Sequence, residues 1–253
     1  MCNNWLSFGG VTIHGYGVMI AIGLLAAVYV GEKQAEAHGL RKDVILDLAL
    51  WSVVIGFVFG SKLLYVIVEW DAFLKDPWAV LGSGGFVLYG GIIVGILTAW
   101  VFCRIKKLDF PSYFMMLVPE IVLAQGFGRI GCFFAGCCYG APTDSVIGIV
   151  FPEGSLAPAG VSLIPTQLIS AAFDFLLFAF LYWNYNHGKH PSDTGALYLI
   201  GYSIGRFLIE FLRADVRGSV GVLSTSQFIA IPICLLGFFL LWRNRKKQPN
   251  MVK

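Results

Sequence analysis

The chain has 253 residues, of which 57% are hydrophobic and only 13% are charged, and its mean hydropathy is +0.76. This composition is that of an integral membrane protein rather than a soluble one. The net charge of +3 is not gathered into a basic stripe with interleaved aromatic residues, so nucleic acid is not an expected partner.

Seven apolar stretches are each long enough to cross the ~30 Å hydrocarbon layer, which requires about 20 helical residues. They lie at roughly 11–31, 46–69, 84–103, 112–130, 166–184, 195–212 and 224–242. We therefore predict an all-α membrane protein with about seven transmembrane helices, built as a single integral membrane domain over 1–253. No basic residue precedes the first apolar run, so we expect that span to be retained rather than cleaved as a signal peptide.

Basic residues predict the orientation, because Lys and Arg beside a span stay on the cytoplasmic side. With the N-terminus outside, twelve of the eighteen fall in inner segments: Lys33, Arg41, Lys42, Arg104, Lys106, Lys107, Lys189, Arg243, Arg245, Lys246, Lys247 and Lys253. The outer segments hold three: Lys75, Arg213 and Arg217. We predict an outside N-terminus and a basic cytoplasmic tail at 243–253.

The longest connection between predicted spans is 132–167, which contains prolines and the strand-like run "VIGIVFPEG". Connections longer than about 12–15 residues are usually functional. We predict a small irregular extracytoplasmic insertion here, and short loops at about 70–83 and 213–223.

Charged residues within the spans are the first candidates for function, since an Arg near the middle of a span costs ~2.5–3.5 kcal/mol on insertion scales. The spacing of Tyr202, Arg206, Glu210 and Arg213 places them on one helical face. Two interpretations stay open. Arg206 and Glu210 form a self-neutralising pair that holds helices together, or Arg206 binds a phosphate and Glu210 orients it.

Two further cations lie within predicted spans. Arg129 has no acidic residue within a helical turn, and the glycines on either side of it, Gly128 and Gly131, leave room for a ligand or a close helix. Lys62 lies in "FGSKLLY". Three cations within the predicted spans are thus set against three acids well inside them, Glu120, Asp174 and Glu210. We interpret this distribution of charge as leaving room for an anionic ligand.

Two tyrosines lie beside glycines within the apolar runs. Tyr16 is in "HGYGVM", and Tyr89 precedes Gly90 and Gly91 in "LYGGIIVG". Interfacial belt residues and glycine-mediated helix packing explain such patterns as readily as a binding site does.

Three cysteines, Cys132, Cys137 and Cys138, follow the fourth span. They lack a C-x-x-C pair or a nearby His, so no metal is predicted. Outside the cytoplasm, a Cys132–Cys137 or Cys132–Cys138 disulfide is an open alternative.

Taken together, these motifs resemble those of the bacterial phosphatidylglycerol:prolipoprotein diacylglyceryl transferases, in the same order from Tyr16 to Gln227. The segments "IHGYGVM", "GRIGCFFAGCCYG", "VFP", "PTQL" and "GYSIGRFLIEFLR" are similar to the family's motifs. The positions that match functional family residues are Tyr16, Arg129, Gly140, Gln167, Tyr202, Arg206, Glu210 and Arg213.

The chain departs from the family pattern around the reacting centre. Tyr89 replaces a His, Lys62 an Arg and Ser170 a Glu, while Cys132 and Cys137 stand where Asn and Glu are usual. Because those two positions face the reaction centre in the family, we predict that Cys132 and Cys137 line the polar cavity as free thiols. A paralogue with the same phospholipid site and a different acceptor is the main alternative.

The resemblance implies an enzyme of the bacterial inner (plasma) membrane that needs no cofactor. The thiol of a prolipoprotein's lipobox cysteine, carried by the signal peptide, would attack the glyceryl carbon that bears the phosphate of phosphatidylglycerol, releasing glycerol phosphate. Arg129 and Arg206 are expected to bind the phosphate, Glu210 to orient Arg206, and Tyr16 and Tyr202 to bond the headgroup.

The base for the thiol is either Tyr89, with its pKa lowered by the cations, or a cysteine thiolate. We also expect the phospholipid to contact a further set of residues: Gly90, Gly91, Gly140, Lys62 and Gln167. Two other classes of protein stay open: a lipid or small-molecule carrier, and a membrane thiol oxidoreductase built on the three cysteines.

Overall fold

The structure, a computed structural model, describes residues 3–8, 11–188, 190–215 and 218–247. Its helices are α1 (Gly15–Ala37), α2 (Ile45–Trp51), α3 (Gly60–Val68), α4 (Trp70–Lys75), α5 (Pro77–Gly82), α6 (Leu88–Lys106), α7 (Phe110–Ala135), α8 (Thr166–His187), α9 (Thr194–Glu210) and α10 (Thr225–Lys247). Three parts of the orientation prediction, Lys189, Arg217 and 248–253, lie outside the described residues.

Six helical segments in the described part of the chain are long and apolar enough to cross a membrane. They are Gly15–Ala37, Lys42–Val68, Leu88–Lys106, Phe110–Ala135, Thr166–His187 and Thr225–Lys246. The second of them joins α2 to α3 through a π-helical segment, Ser52–Phe59. The predicted all-α membrane fold is confirmed. The remaining predicted span, the sixth at 195–212, corresponds to α9, which has 17 residues.

Several predicted boundaries are wrong. Residues 11–14 are not helical but form strand β2 (Val11–His14), which pairs antiparallel with β1 (Asn4–Phe8), because polar residues alternate with apolar ones there. The loop at 70–83 contains α4 and α5, and Asp76 caps α5 by accepting a 2.9 Å hydrogen bond from the Ala79 amide. Helix α7 continues to Ala135, so Cys132 belongs to a helix rather than to the insertion.

The chain divides into two compact units. The first consists of the residues up to Val30 and from Met115 onward, and the second is Gly31–Phe114. In the second unit, α3 and α6 pack through glycines: a Cβ on Gly60 would lie 2.6 Å from the carbonyl oxygen of Gly90. The single domain over 1–253 stays a prediction.

The chain that follows α7, within the predicted insertion at 132–167, packs on a small hydrophobic core that it shares with the end of α7. Strands β3 (Ile149–Val150) and β4 (Ser162–Leu163) form an antiparallel hairpin within the predicted strand-like region. The side chains of Phe133, Phe151, Ala157 and Leu163 form a buried cluster beneath it. Because Phe133 belongs to α7, this cluster fixes the insertion to the end of that helix.

Two more strands, β5 (Ser219–Val220) and β6 (Leu223–Ser224), form a hairpin just before α10. They lie within the predicted short loop at 213–223, except for Ser224, which was predicted to begin the last span.

Candidate active site

A narrow cavity within the first unit brings together the two arginines singled out by the sequence. Its free volume is about 10 Å³, roughly the space of a single water molecule. It is lined by residues of α7, α8 and α9: Arg129, Ser170, Phe173, Asp174, Tyr202, Arg206 and Ile209. Two guanidinium groups 77 positions apart in sequence therefore face one narrow cavity.

Arg206 is held by two partners. Its Nη1 atom lies 2.9 Å from a carboxylate oxygen of Glu210, one helical turn later, and its Nη2 donates a 2.9 Å hydrogen bond to Ser226 Oγ. The Glu210 side chain is 1% exposed, so this ion pair is shielded from water. Both sequence interpretations of the pair remain compatible with this geometry, because Arg206 also lines the cavity.

Arg129 has a weaker set of neighbours. Its Nη2 donates a long 3.4 Å hydrogen bond to the hydroxyl of Tyr202. Its charge also acts on Asp174, which comes from α8. Helix α7 itself places no acid within one turn of Arg129, as the sequence indicated. The acid near Arg129 comes instead from a different helix, α8.

Sequence reasoning missed Asp174 as a site residue. It is buried, and its Oδ2 atom accepts no hydrogen bond from any described residue. A signal was available, because Gln167, Ser170 and Asp174 recur at i, i+3 and i+7 and therefore share one buried face of α8. A polar stripe of this kind on an apolar span predicts a polar cavity.

Arg213 lies beyond the end of α9 at Glu210. Of the four residues predicted to share one helical face, Arg213 is therefore the one that is not on the helix. The Arg213 guanidinium still reaches Glu210, at 3.7 Å, and binds both carboxylate oxygens of Asp215, at 3.0 and 2.7 Å. It is 7% exposed. Arg213 thus neutralises acids at the end of α9.

The two glycines beside Arg129 differ in their surroundings. A Cβ on Gly128 would meet open space, whereas one on Gly131 would lie 3.1 Å from the Tyr16 ring. Gly131 therefore permits close packing of α1 on α7, and Gly128 leaves space free.

The loop after α7 is held by the start of α8. Thr166 Oγ1 donates a 2.6 Å hydrogen bond to the Cys138 carbonyl, and Gln167 Nε2 donates one of 2.8 Å to the Cys137 carbonyl. The chain turns sharply here, with positive φ at Gly136 and at Cys138. Gln167, predicted to contact the phospholipid, thus positions the cysteine backbone.

This turn gathers the three cysteines. The sulfur atoms of Cys132, Cys137 and Cys138 all lie within 4.8 Å of one another, and each thiol is free. Hydrogen bonds from the other two thiols lower the pKa of Cys138, and the charges of Arg213 and Arg129 act in the same direction. Sequence spacing alone had not favoured such a cluster.

A second, larger pocket of about 330 Å³ opens beside the cysteines. It is lined by Asn3, His14, Tyr16, Ala135, Cys137 and Leu156. The ring of Trp5 packs edge-on against Phe134, with centroids 5.2 Å apart, and so fixes the β1–β2 hairpin on the end of α7. The predicted site residues Tyr16 and Cys137 therefore share one open pocket.

Gly140 lies where three backbone segments meet. Its amide donates to the Ile164 carbonyl at 3.0 Å, and it forms a bridge with Arg213. A Cβ there would lie 2.6 Å from that carbonyl oxygen and 2.8 Å from that of Leu212. Close backbone packing explains why a glycine is needed at position 140. The predicted contact of Gly140 with phospholipid stays a prediction.

Four predicted site residues belong to the second unit. The Lys62 ammonium donates to the carbonyl oxygens of Ser83, at 2.7 Å, and Gly85, at 3.3 Å. Tyr89 is exposed in the first turn of α6, and Gly90 and Gly91 are buried in the same turn. The part that each plays in phospholipid binding or catalysis stays a prediction.

Helices of membrane-spanning length, with two half-buried arginines facing one cavity, define a membrane protein with an anion site. The sequence profile described as prolipoprotein diacylglyceryl transferase matches residues 3–243. The chain belongs to this family and is a multi-pass cell membrane protein.

Individual relatives are similar over nearly their whole length. The phosphatidylglycerol-prolipoprotein diacylglyceryl transferase 2 of Clostridium perfringens is 47% identical over 241 residues, 94% of this chain and 93% of that protein. The phosphatidylglycerol-prolipoprotein diacylglyceryl transferase of Clostridium tetani is 44% identical over 232 residues, 91% of this chain and 93% of its own. That of Finegoldia magna is 33% identical over 244 residues, 95% of each chain.

Proposed function

We propose that this protein transfers the diacylglyceryl group of phosphatidylglycerol to the lipobox cysteine thiol of prolipoproteins, with release of glycerol phosphate. The relatives named above carry this activity in their names. The observation that carries the proposal for this chain is that Arg129 and Arg206 line one narrow cavity.

The two arginines suit the phosphate of the lipid. A guanidinium stays charged in a poor solvent and donates two parallel hydrogen bonds to a phosphate. Arg206 is oriented by Glu210 and Ser226, so its free edge is pre-positioned for the ligand. As the bond between carbon and phosphate oxygen breaks, negative charge grows on the leaving group, and fixed cations stabilise that charge most.

The cavity must widen for the lipid to bind. A free volume of about 10 Å³ holds a water molecule but not a phosphodiester. Tyr202, which accepts the long hydrogen bond from Arg129, is placed to change partners when a phosphate arrives. Asp174, which both arginines face, would compete with that phosphate.

The chemical step forms a carbon–sulfur bond and breaks a carbon–oxygen bond. The acceptor sulfur attacks the glyceryl carbon, and glycerol phosphate leaves with the electron pair of the broken bond. The acceptor thiol must first lose its proton, since the thiolate is the nucleophile. Tyr89 and the cysteines remain the proposed bases, and the open pocket beside Tyr16 and Cys137 is the proposed place for the acceptor.

We further propose the orientation indicated by the basic residues, with the N-terminus outside, 132–167 extracytoplasmic and the C-terminus cytoplasmic. Fusions of alkaline phosphatase and of a fluorescent protein after Asp144 and after Lys247 test it. We expect phosphatase activity at the first position and fluorescence at the second. The reverse pattern would overturn the orientation.

The test of the function uses purified protein, phosphatidylglycerol and a synthetic lipobox peptide. We expect mass spectrometry to detect the peptide with an added diacylglyceryl group and an equal amount of glycerol phosphate. Arg129→Lys and Arg206→Lys should each slow turnover about 100-fold, because an ammonium cannot make the bidentate contact.

The matched control is Arg41→Lys, a change of the same kind at an exposed arginine that pairs with Asp43. It should turn over like the unmodified protein. Normal rates in both cavity variants would mean that these arginines are structural. Phosphatidylglycerol that crosses a bilayer unchanged, with no glycerol phosphate, would instead indicate a carrier.

A further inference from the structure

The cysteine cluster is the feature that the phosphate site leaves unexplained. Three free thiols, one on the last turn of α7 and two in the turn that follows, have all their sulfur atoms within 4.8 Å of one another. All three side chains are half-buried rather than packed in an apolar core. Three converging soft donors form a chelating arrangement, whatever the sequence spacing that produced it.

The distances suit a metal ion. With zinc–sulfur bonds of about 2.3 Å, thiolates in a tetrahedral site lie roughly 3.8 Å apart. The sulfurs of this cluster need to approach by no more than about 1 Å to reach that spacing.

The backbone that carries two of the donors is already fixed. Thr166 and Gln167 hold the carbonyls of Cys138 and Cys137, with bonds of 2.6 and 2.8 Å. Cys132 is held by helix α7. Because little backbone order has to be gained on binding, the loss of entropy is small.

The charges also suit such an ion. Three thiolates around a dication carry one net negative charge, which is costly to bury alone. Arg213 forms a backbone bridge with Gly140, two residues beyond Cys138, and Arg129 lies one turn before Cys132 on α7, so two cations stand beside the cluster. The same arginines would repel a dication held by neutral ligands, which favours donors that bind as anions.

We propose that Cys132, Cys137 and Cys138 bind one zinc ion as thiolates, with the fourth coordination position open to the pocket lined by Cys137 and Tyr16. Binding releases three protons to solvent as the three sulfur–zinc bonds form. Three protein ligands and one open position is the arrangement of catalytic rather than structural zinc sites.

The open position would serve the acceptor, a consequence that rests on the proposed function. A thiol that coordinates zinc is deprotonated outright. Zinc held there would act as a Lewis acid that helps the lipobox thiol lose its proton to water. The thiolate would then form the carbon–sulfur bond as glycerol phosphate leaves with the electron pair of the broken carbon–oxygen bond. Zinc would thereby supply the activation that the acceptor thiol needs.

The experiment measures zinc in the purified full-length protein. After incubation with zinc chloride and desalting, elemental analysis should find about one zinc per chain. Cys132→Ser, Cys137→Ser and Cys138→Ser should each weaken zinc binding at least tenfold. Cys234→Ser, which alters a half-buried cysteine of α10 outside the cluster, is the matched control and should keep the full amount.

Cobalt provides a second readout that does not depend on activity. A Co²⁺-loaded protein should show a sulfur-to-cobalt charge-transfer absorption that each cluster variant reduces and Cys234→Ser retains. Thermal unfolding in the absence of metal separates a lost site from a lost fold. If a serine variant unfolds, the alanine variant at the same position is used in its place. The zinc affinity of the unmodified protein is then also measured by competition with a chelator.

The outcomes distinguish the two proposals. Zinc binding without any diacylglyceryl transfer would overturn the proposed function and leave the metal site in place. Transfer that proceeds in zinc-free protein and in all three serine variants would overturn the catalytic use of zinc. Less than a tenth of a zinc per chain, or a native mass two hydrogens short because of a disulfide within the cluster, would overturn the metal site itself.

Discussion

Two cations within spanning segments, Lys62 and Arg129, meet opposite surroundings. The Lys62 ammonium donates to Ser83 and Gly85 and lies 5.1 Å from the ring centroids of both Tyr65 and Phe86. Arg129 makes one long hydrogen bond, to Tyr202, and lines a cavity. An ammonium has three donors and a guanidinium five.

The two cations differ in how many of their hydrogen-bond donors have a partner. Lys62 is surrounded by carbonyl oxygens and aromatic faces, which stabilise a cation without an opposite charge. Arg129 has more donors and, among the described residues, a single long hydrogen bond, so a ligand with several acceptor oxygens can bind to the donors that are left. A charge within a membrane span therefore indicates a binding site only when its local partners fail to saturate it.

The largest expected effect comes from replacing each cation by methionine. Arg129→Met should lower turnover about 100-fold or more, with thermal stability unchanged or raised, because an underpaired cation is removed. Lys62→Met should instead lower the free energy of unfolding by about 1–3 kcal/mol, because the part-buried carbonyls of Ser83 and Gly85 lose their donor. Turnover and thermal denaturation of both variants check this contrast.

The contrast between the two cations would be wrong if Arg129→Met and Lys62→Met changed turnover and stability in the same way. A stability loss in Arg129→Met as large as that in Lys62→Met would mean that Arg129 is a structural cation. A higher KM for phosphatidylglycerol in folded Lys62→Met would support the predicted contact of Lys62 with the phospholipid.

A smaller effect is expected from Asp174→Asn. Removing this carboxylate leaves Arg129 and Arg206 facing each other across the cavity, so the free energy of unfolding should fall by about 1–3 kcal/mol. Phosphatidylglycerol should restore more thermal stability to the variant than it adds to the unmodified protein, because the phosphate supplies the missing negative charge. Differential scanning fluorimetry with and without the lipid measures both.

The control for that experiment is the uncharged lipid diacylglycerol, which should restore nothing. Equal stabilisation of both proteins by phosphatidylglycerol would show that the cavity does not receive the phosphate.

The smallest expected effect compares two helical glycines. Gly60→Ala should destabilise the protein by about 1–2 kcal/mol, because the new methyl group meets the Gly90 carbonyl and Val94. Gly128→Ala meets open space and should stabilise by up to about 1 kcal/mol through helix propensity. Denaturant unfolding in detergent resolves the opposite signs, and destabilisation by Gly128→Ala would mean that its surroundings are already packed.

The sequence predicted the spans well because hydrophobic length is a property of the chain itself. It also predicted the Arg206–Glu210 contact, since residues four apart on a helix are neighbours. The strand-like run in the insertion was recognised, although its strands are only two residues long. In each case the interaction is local, so periodicity and spacing were sufficient.

Contacts between distant segments could not be predicted in the same way. Asp174 comes to Arg129 from another helix, and only the packing of α7 against α8 makes the two neighbours. The cysteine cluster forms because the chain turns back after α7 through positive φ at Gly136 and Cys138. A left-handed cysteine is rare enough that no spacing rule anticipates it.

The length of α9 has a consequence for the lipid beside it. Seventeen residues of helix extend about 25 Å, less than the ~30 Å hydrocarbon layer that α9 would have to cross. A bilayer meets such a hydrophobic mismatch by thinning locally, at a modest elastic cost per ångström. Headgroups next to α9 should therefore lie deeper than elsewhere in the leaflet, which shortens the path of a phosphate toward Arg206. Membrane thickness then becomes a variable of catalysis, and acyl chains shorter than those of the native membrane should favour turnover.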